Sequence, residues 1–262
     1  MAEEHSKIKE IRPAEAKTQP SAPVKSDPEK FWKITTVVLI VLLAFFAFRN
    51  TGVGTTTPTG QVVADVPTAA KATTLAPLAA DDVVKGSAKA PVTVILYSDP
   101  SCPFCGAAAG ENQQVIDYLR QRDPSWVAPV PKIIENYVNS GKVKLVFRYF
   151  PGHGTGENAM KVMLCANEQG KFWELHDEIF ANQDKVEDLD QVKTMARGLG
   201  IDITKIDTCL SSKKYDQKIA KDIASGTAAG VQGTPDSFVN GQEVGGAQSF
   251  TAFDSAIKAA LQ

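Results

Sequence analysis

Along this chain the hydrophobic positions change their spacing several times, and each change marks an element. From Val92 to Tyr97 (VTVILY) every residue is apolar or β-branched, the pattern of a strand buried on both faces. Beyond it, Cys105, Ala108, Ala109, Val115, Ile116 and Leu119 recur at helical spacing on a face interrupted only by Asn112. Three prolines between Arg122 and Pro131 end that helix, a short helix is predicted over Lys132 to Ser140, and Val143 to Phe150 (VKLVFRYF) reads as a second strand. Strand, helix and strand in this order predict a βαβ unit with a right-handed crossover.

Between Glu157 and about Ala224 the period stays helical, with apolar sets such as Phe172, Leu175, Ile179 and Phe180. Strand character returns at Ser237 to Asn240. The pair Asn240-Gly241 favours a hairpin turn into Gln242 to Val244, and Phe250, Phe253, Ile257, Ala260 and Leu261 predict a closing amphipathic helix. The expected fold is therefore α/β, a βαβ half and a ββα half separated by an all-helical insertion over about 154–225.

Upstream, the pattern differs. Residues 1–30 mix basic and acidic residues with four prolines and no apolar period, so a disordered leader is expected. The run from Ile34 to Phe48 carries no charge, and with Phe31 and Trp32 it extends far enough at about 1.5 Å per residue to cross most of a ~30 Å hydrocarbon layer. A single transmembrane signal anchor over 31–49 is expected, in preference to a cleaved signal peptide or a buried core helix. Seven basic residues precede the uncharged run at Ile34 and only Arg49 follows Phe48 before Lys71, which places the N-terminus in the cytoplasm and exports the rest. Residues 50–80, rich in Thr, Ala, Gly and Pro, read as a flexible linker to a domain over 81–262.

Composition adds little beyond exclusions. In 262 residues, 28 basic and 30 acidic side chains leave a net charge of -2, so no basic field attracts nucleic acid. Four cysteines are too few for a disulfide scaffold, but all four fall in the exported part, where disulfides persist.

Two of them, Cys102 and Cys105, lie in SDPSCPFCG where the first strand hands over to the helix. A thiol at a helix N-terminus faces unpaired N–H groups that favour its thiolate, which makes Cys102 the nucleophile. Cys105, one turn further on the inward face, is placed to resolve a mixed disulfide. No second CxxC or HxxxH completes a zinc site. A thiol-based copper site at Cys102 and Cys105 is the alternative from another class, opposed by the lack of a Met- or His-rich tract nearby. No bound cofactor or metal is expected. His153, in the loop PGHGTG, is open to a proton-shuttle or a solvated-loop reading, the latter the more common for a lone loop histidine; His176, at an amphipathic helix position, reads as structural, and His5 falls in the leader. Cys165 and Cys209 sit on apolar helix faces, open to a free-thiol or a disulfide reading.

SDPSCPFC after VTVILY, Gly233-Thr234-Pro235 before a later strand, and the helical block between them resemble the DsbA-like thiol:disulfide oxidoreductases, thioredoxin-fold proteins with an inserted helical domain. CANEQGKFWELHDEIFANQ (165–183) resembles the insertion of their membrane-anchored members. The resemblance implies that Pro235 is a cis-proline beside the dithiol, and that Thr234 offers backbone hydrogen bonds to an extended substrate. It further implies a disulfide between Cys165 and Cys209, reduced exported proteins as substrates and a quinone-linked membrane partner that reoxidises the dithiol. Closing a loop of this size would stabilise the fold by roughly 4 kcal/mol. Two positions depart from the family. Phe104 stands where the best-known members carry a thiolate-stabilising His, and Asp236 brings a charge beside the site where an apolar residue is expected. Both departures favour a milder oxidant, or an isomerase or reductase.

Overall fold

The computed structural model describes residues 75–152 and 154–262. The expected leader and signal anchor, most of the linker, and His153 lie outside the described residues. Among the described residues no helix is long and apolar enough to cross a membrane.

Five strands form one mixed sheet, in the order β1-β3-β2-β4-β5: β1 (Val83–Lys85), β2 (Val92–Ser98), β3 (Val143–Tyr149), β4 (Asp236–Val239) and β5 (Gln242–Glu243). The central pair β2 and β3 is parallel, with Val94 opposite Leu145 and Leu96 opposite Phe147, while the outer pairings are antiparallel. Each central strand is apolar on both faces because both faces are covered. Val92, Val94, Leu96, Val143 and Leu145 pack on α3 (Pro129–Ile133, continued by a π turn over Ile134–Val138) and α9 (Phe250–Ala260), while Ile95, Tyr97 and Val146 face Phe238 and Ala229 on the other side.

Between β2 and α3 the chain forms α1 (Pro103–Ala109) and α2 (Gln113–Arg122), where the apolar spacing predicted one helix. Gly110 takes a left-handed conformation (φ 91°), which ends α1, and the Asn112 side chain accepts from the Val115 N–H and starts α2. The single polar interruption of the apolar face is thus a helix cap. Pro129 opens α3, where a missing N–H costs nothing, so the third helix begins before the predicted Lys132. The three-residue β1 was not predicted, being too short to show a period. Helices α4 (Glu157–Asn167), α5 (Phe172–Ala181), α6 (Leu189–Gly198), α7 (Ile203–Ser211) and α8 (Asp216–Ala229) make up the helical block. A disulfide links Cys165 on α4 to Cys209 on α7.

A buried ion network fastens the start of the domain to this block. Arg148 on β3 donates to Asp82 (2.8 and 3.2 Å) and to the carbonyls of Ala76 and Pro77, so contacts begin upstream of residue 81. Lys218 on α8 bridges Asp82 and Asp222, and the second oxygen of Asp222 accepts from the Tyr149 N–H. All four charged side chains are at most 4% exposed, so the loss of one leaves its partners desolvated and unpaired. Replacing Arg148 with Leu should lower the urea-unfolding free energy by about 3–5 kcal/mol; a change below ~1 kcal/mol would show that the network adds little to stability.

Candidate functional site

Cys102 is the residue that caps α1, extended at φ -82° and ψ 117°, with Pro103 in the first helical turn. Its carbonyl oxygen accepts from the N–H groups of Cys105 (3.0 Å) and Gly106 (3.1 Å) and from Gln183 Nε2 (2.8 Å). The same Gln183 amide reaches the Pro100 carbonyl (3.0 Å), and its oxygen accepts from Asn112 (2.9 Å). A glutamine that directly follows α5 of the helical block thus holds the backbone on both sides of Ser101. A Cβ on Gly106 would lie 2.2 Å from the Gln183 oxygen, so the close approach requires glycine there.

Asp99, fully buried, ties the turn to the opposite loop. One oxygen accepts from the Ser101 N–H and hydroxyl (2.8 and 2.7 Å), and the other accepts from the Gly152 N–H (2.7 Å). Gly152 passes so close that a Cβ would stand 2.1 Å from the Thr234 hydroxyl and 3.4 Å from the Cys102 Cβ. The Thr234-Pro235 peptide is cis, and Cys102 Sγ lies 3.2 Å from the Thr234 carbonyl. The Thr234 hydroxyl is buried without a hydrogen-bond partner among the described residues. Strand order explains the meeting: β4 lies beside β2, so the peptide that enters β4 arrives next to the turn that leaves β2.

Both cysteines are free thiols and buried, but their surroundings differ. A hydrogen bond from the Cys105 thiol, assisted by the N–H groups of Cys105 and Phe104, outweighs burial and brings Cys102 down to about 6. Burial pushes Cys105 well above the ordinary thiol range, reinforced by the charge on Cys102 and opposed by hydrogen bonds from Ser98 and Asp99. One thiolate shared unequally by two sulfurs is the arrangement that thiol–disulfide exchange requires. The stabilisation is local, because α1 has only seven residues and little dipole of its own.

The departures read from the sequence appear in altered form. Phe104 is 37% exposed and meets Tyr118 edge-on, at 6.3 Å between ring centroids, so it offers an apolar surface beside the dithiol and no hydrogen bond to it. Asp236 is buried, and that burial, with Glu243 nearby, lifts its carboxyl to about 6. His176 is buried among aromatic rings and touches Asp177 (2.8 Å). Cys165, Glu168 and Cys209 converge, but the two sulfurs are bonded to each other and cannot ligate a metal as thiolates. Sequence reading missed Asp99, Gln183 and Gly152, because each acts through a contact remote in the chain. No local period marks them.

A family model described as thioredoxin matches residues 79–119 and 125–259. A Na(+)/H(+) antiporter NhaA 3 of Salinispora tropica is 31% identical over 183 residues, 69% of this chain but only 25% of the antiporter, so the chain spans about a quarter of the length of that relative. A probable disulfide bond formation protein D of Bacillus cereus is 29% identical over 166 residues, 60% of this chain and 68% of that protein. The fold is similar to the crystal structure of oxidised BdbD from Bacillus subtilis, with a TM-score of 0.57 and 21% identity over 69% of this chain and 93% of that one.

The unequal thiols yield a direct check. Iodoacetamide at neutral pH should modify Cys102 of the reduced protein at least ~10-fold faster than Cys105, as judged by peptide mass spectrometry. Equal rates, or faster labelling of Cys105, would contradict the assigned asymmetry.

Proposed function

Because this chain belongs to the thioredoxin family, we propose that it is a thiol:disulfide oxidoreductase that introduces disulfides into exported proteins through Cys102 and Cys105. The observation that carries the reading is the split between the two thiols, one brought down to about 6 and the other pushed up by burial. In the oxidised protein a substrate thiolate attacks the Cys102 sulfur, and Cys105 leaves. A second substrate thiolate then attacks the substrate sulfur of the mixed disulfide, and Cys102 leaves as the better leaving group because its thiolate is the stabilised one.

The cis peptide supports this geometry. Cys102 Sγ rests on the Thr234 carbonyl, so an extended substrate that pairs with the Thr234 backbone displaces that contact and sets its own sulfur beside Cys102. Exposed Phe104 and Tyr118 supply an apolar rim for unfolded segments. Residues 31–49 would anchor the protein in the bilayer and leave the domain outside the cytoplasm, where a quinone-linked membrane partner would reoxidise it. No nucleic acid takes part in this reading.

A thiol near 6 lies between the ~3.5 of a strongly oxidising dithiol and the ~7 of thioredoxin, as expected when Phe104 replaces a hydrogen-bonding neighbour. The proposed oxidant is therefore mild. Equilibration with glutathione buffers should give a potential between about -270 and -120 mV. A value at or below the thioredoxin end would favour a reductase or isomerase instead, and tight copper binding without exchange would overturn both. Cys102→Ser should abolish oxidation of a reduced unfolded protein, whereas the lone Cys102 thiol of Cys105→Ser, mixed with a disulfide-bonded protein, should displace one of its sulfurs and accumulate as the mixed disulfide; the opposite pattern would reverse the roles.

A further inference from the structure

Exchange at Cys105 requires a proton to cross a dry region. In the reductive direction its thiol must give up a proton before the sulfur attacks; in the oxidative direction it leaves as a thiolate that must gain one. Cys105 is 2% exposed, and burial strongly disfavours its charged form. The carboxylate of Asp99, at the start of the same turn, has its oxygens on Ser101 and Gly152.

Behind Cys105 lies a cavity of about 20 Å³, lined by Ser98, Cys105, Leu96, Phe147, Ser237 and His176, among others. It has room for about one water, and no carboxylate is among its lining residues. His176 is the only imidazole among the side chains lining it. The rings of Phe147, Phe172, Trp173 and Phe180 surround His176 and fix its position. Nδ1 meets the Asp177 carboxylate at 2.8 Å, and Asp177 is 66% exposed. An acceptor-only carboxylate keeps the proton on Nδ1 and leaves Nε2 as the basic nitrogen.

We propose that His176 is the proton relay for Cys105, passing the proton between the buried thiol and solvent by way of the cavity and Asp177. This rests on the dithiol-exchange reading above. In the reductive step the Cys105 S–H proton passes through the cavity, with the Ser98 hydroxyl as its hydrogen-bonding neighbour, to the imidazole. The Cys105 thiolate then attacks the Cys102 sulfur of the mixed disulfide, the Cys102–Cys105 bond forms, and the substrate leaves as a thiolate that is protonated by water. The oxidative step is the reverse, with the imidazolium returning its proton to the departing Cys105 sulfur. Burial keeps His176 neutral at rest, despite the Asp177 carboxylate; Lys85 on β1 adds to this, and Cys105 on α1 faces the same cavity. Glu111 faces Asp177 and Glu178 from the loop after α1. A neutral imidazole with a carboxylate at Nδ1 is the form that accepts a proton and holds it.

The test separates the two thiol steps. Reduced full-length protein mixed with an aromatic disulfide releases one chromophoric thiolate when Cys102 attacks and a second when Cys105 resolves. His176→Phe, which conserves the aromatic packing, and His176→Gln, which keeps hydrogen bonding but cannot take a proton, should leave the first release unchanged and slow the second by about 10–100-fold. Asp177→Asn, at an exposed position that does not threaten folding, should slow the second release several-fold and weaken its dependence on pH. A wild-type second release in Asp177→Asn together with either folded His176 variant would overturn the relay, as would equal slowing of both releases. Should neither His176 variant fold, the Asp177→Asn result decides alone. Absence of the first release from the wild-type protein would instead refute the dithiol-exchange reading.

Discussion

One short turn carries the opposition on which the chemistry depends. The chain must leave β2 and enter α1 within four residues, and two sulfurs three positions apart are caught on either side of that boundary. Cys102, as the cap, meets N–H groups and the Cys105 thiol. Cys105, one turn inward, faces apolar side chains of the helical block. The difference lasts because the turn is held from several directions.

Those restraints come from distant parts of the chain. Gln183 holds two carbonyls of the turn, Asp99 joins it to Gly152, and the cis Thr234-Pro235 peptide closes the other side. Cys102 and Cys105 also belong to the same apolar cluster as Phe147, Met160, Phe172 and the bonded pair Cys165 and Cys209. The helical block is therefore part of the site's support. Phe104 remains outside this frame, exposed beside the dithiol.

Much of this arrangement was legible in the sequence where the signal is local. The VTVILY strand, the helical periods after Glu157, the Asn240-Gly241 turn and the CPFC junction all announce themselves through spacing or turn chemistry. Local signals also misled in places. The spacing from Cys105 to Leu119 hid a break at Gly110, because two helices can continue one apolar face, and β1 has too few residues to show a period. Gln183, Asp99 and Gly152 were out of reach for another reason. Their partners lie some 50 to 80 positions away in the chain, and only the closed fold brings them together. The cis Thr234-Pro235 bond entered through family resemblance, since a Gly-Thr-Pro string by itself implies only a turn.

The central claim is that this turn divides one negative charge unequally between two thiols, and the ultraviolet absorbance of the thiolate reads it directly. Titration of the reduced protein, with Cys102→Ser as the reference, should show one thiolate appearing with a midpoint at about 6 and lost in the variant. Cys105 should stay protonated beyond the ordinary thiol range. A single midpoint near the ordinary thiol value of 9.0, or a low midpoint that survives Cys102→Ser, would contradict the account.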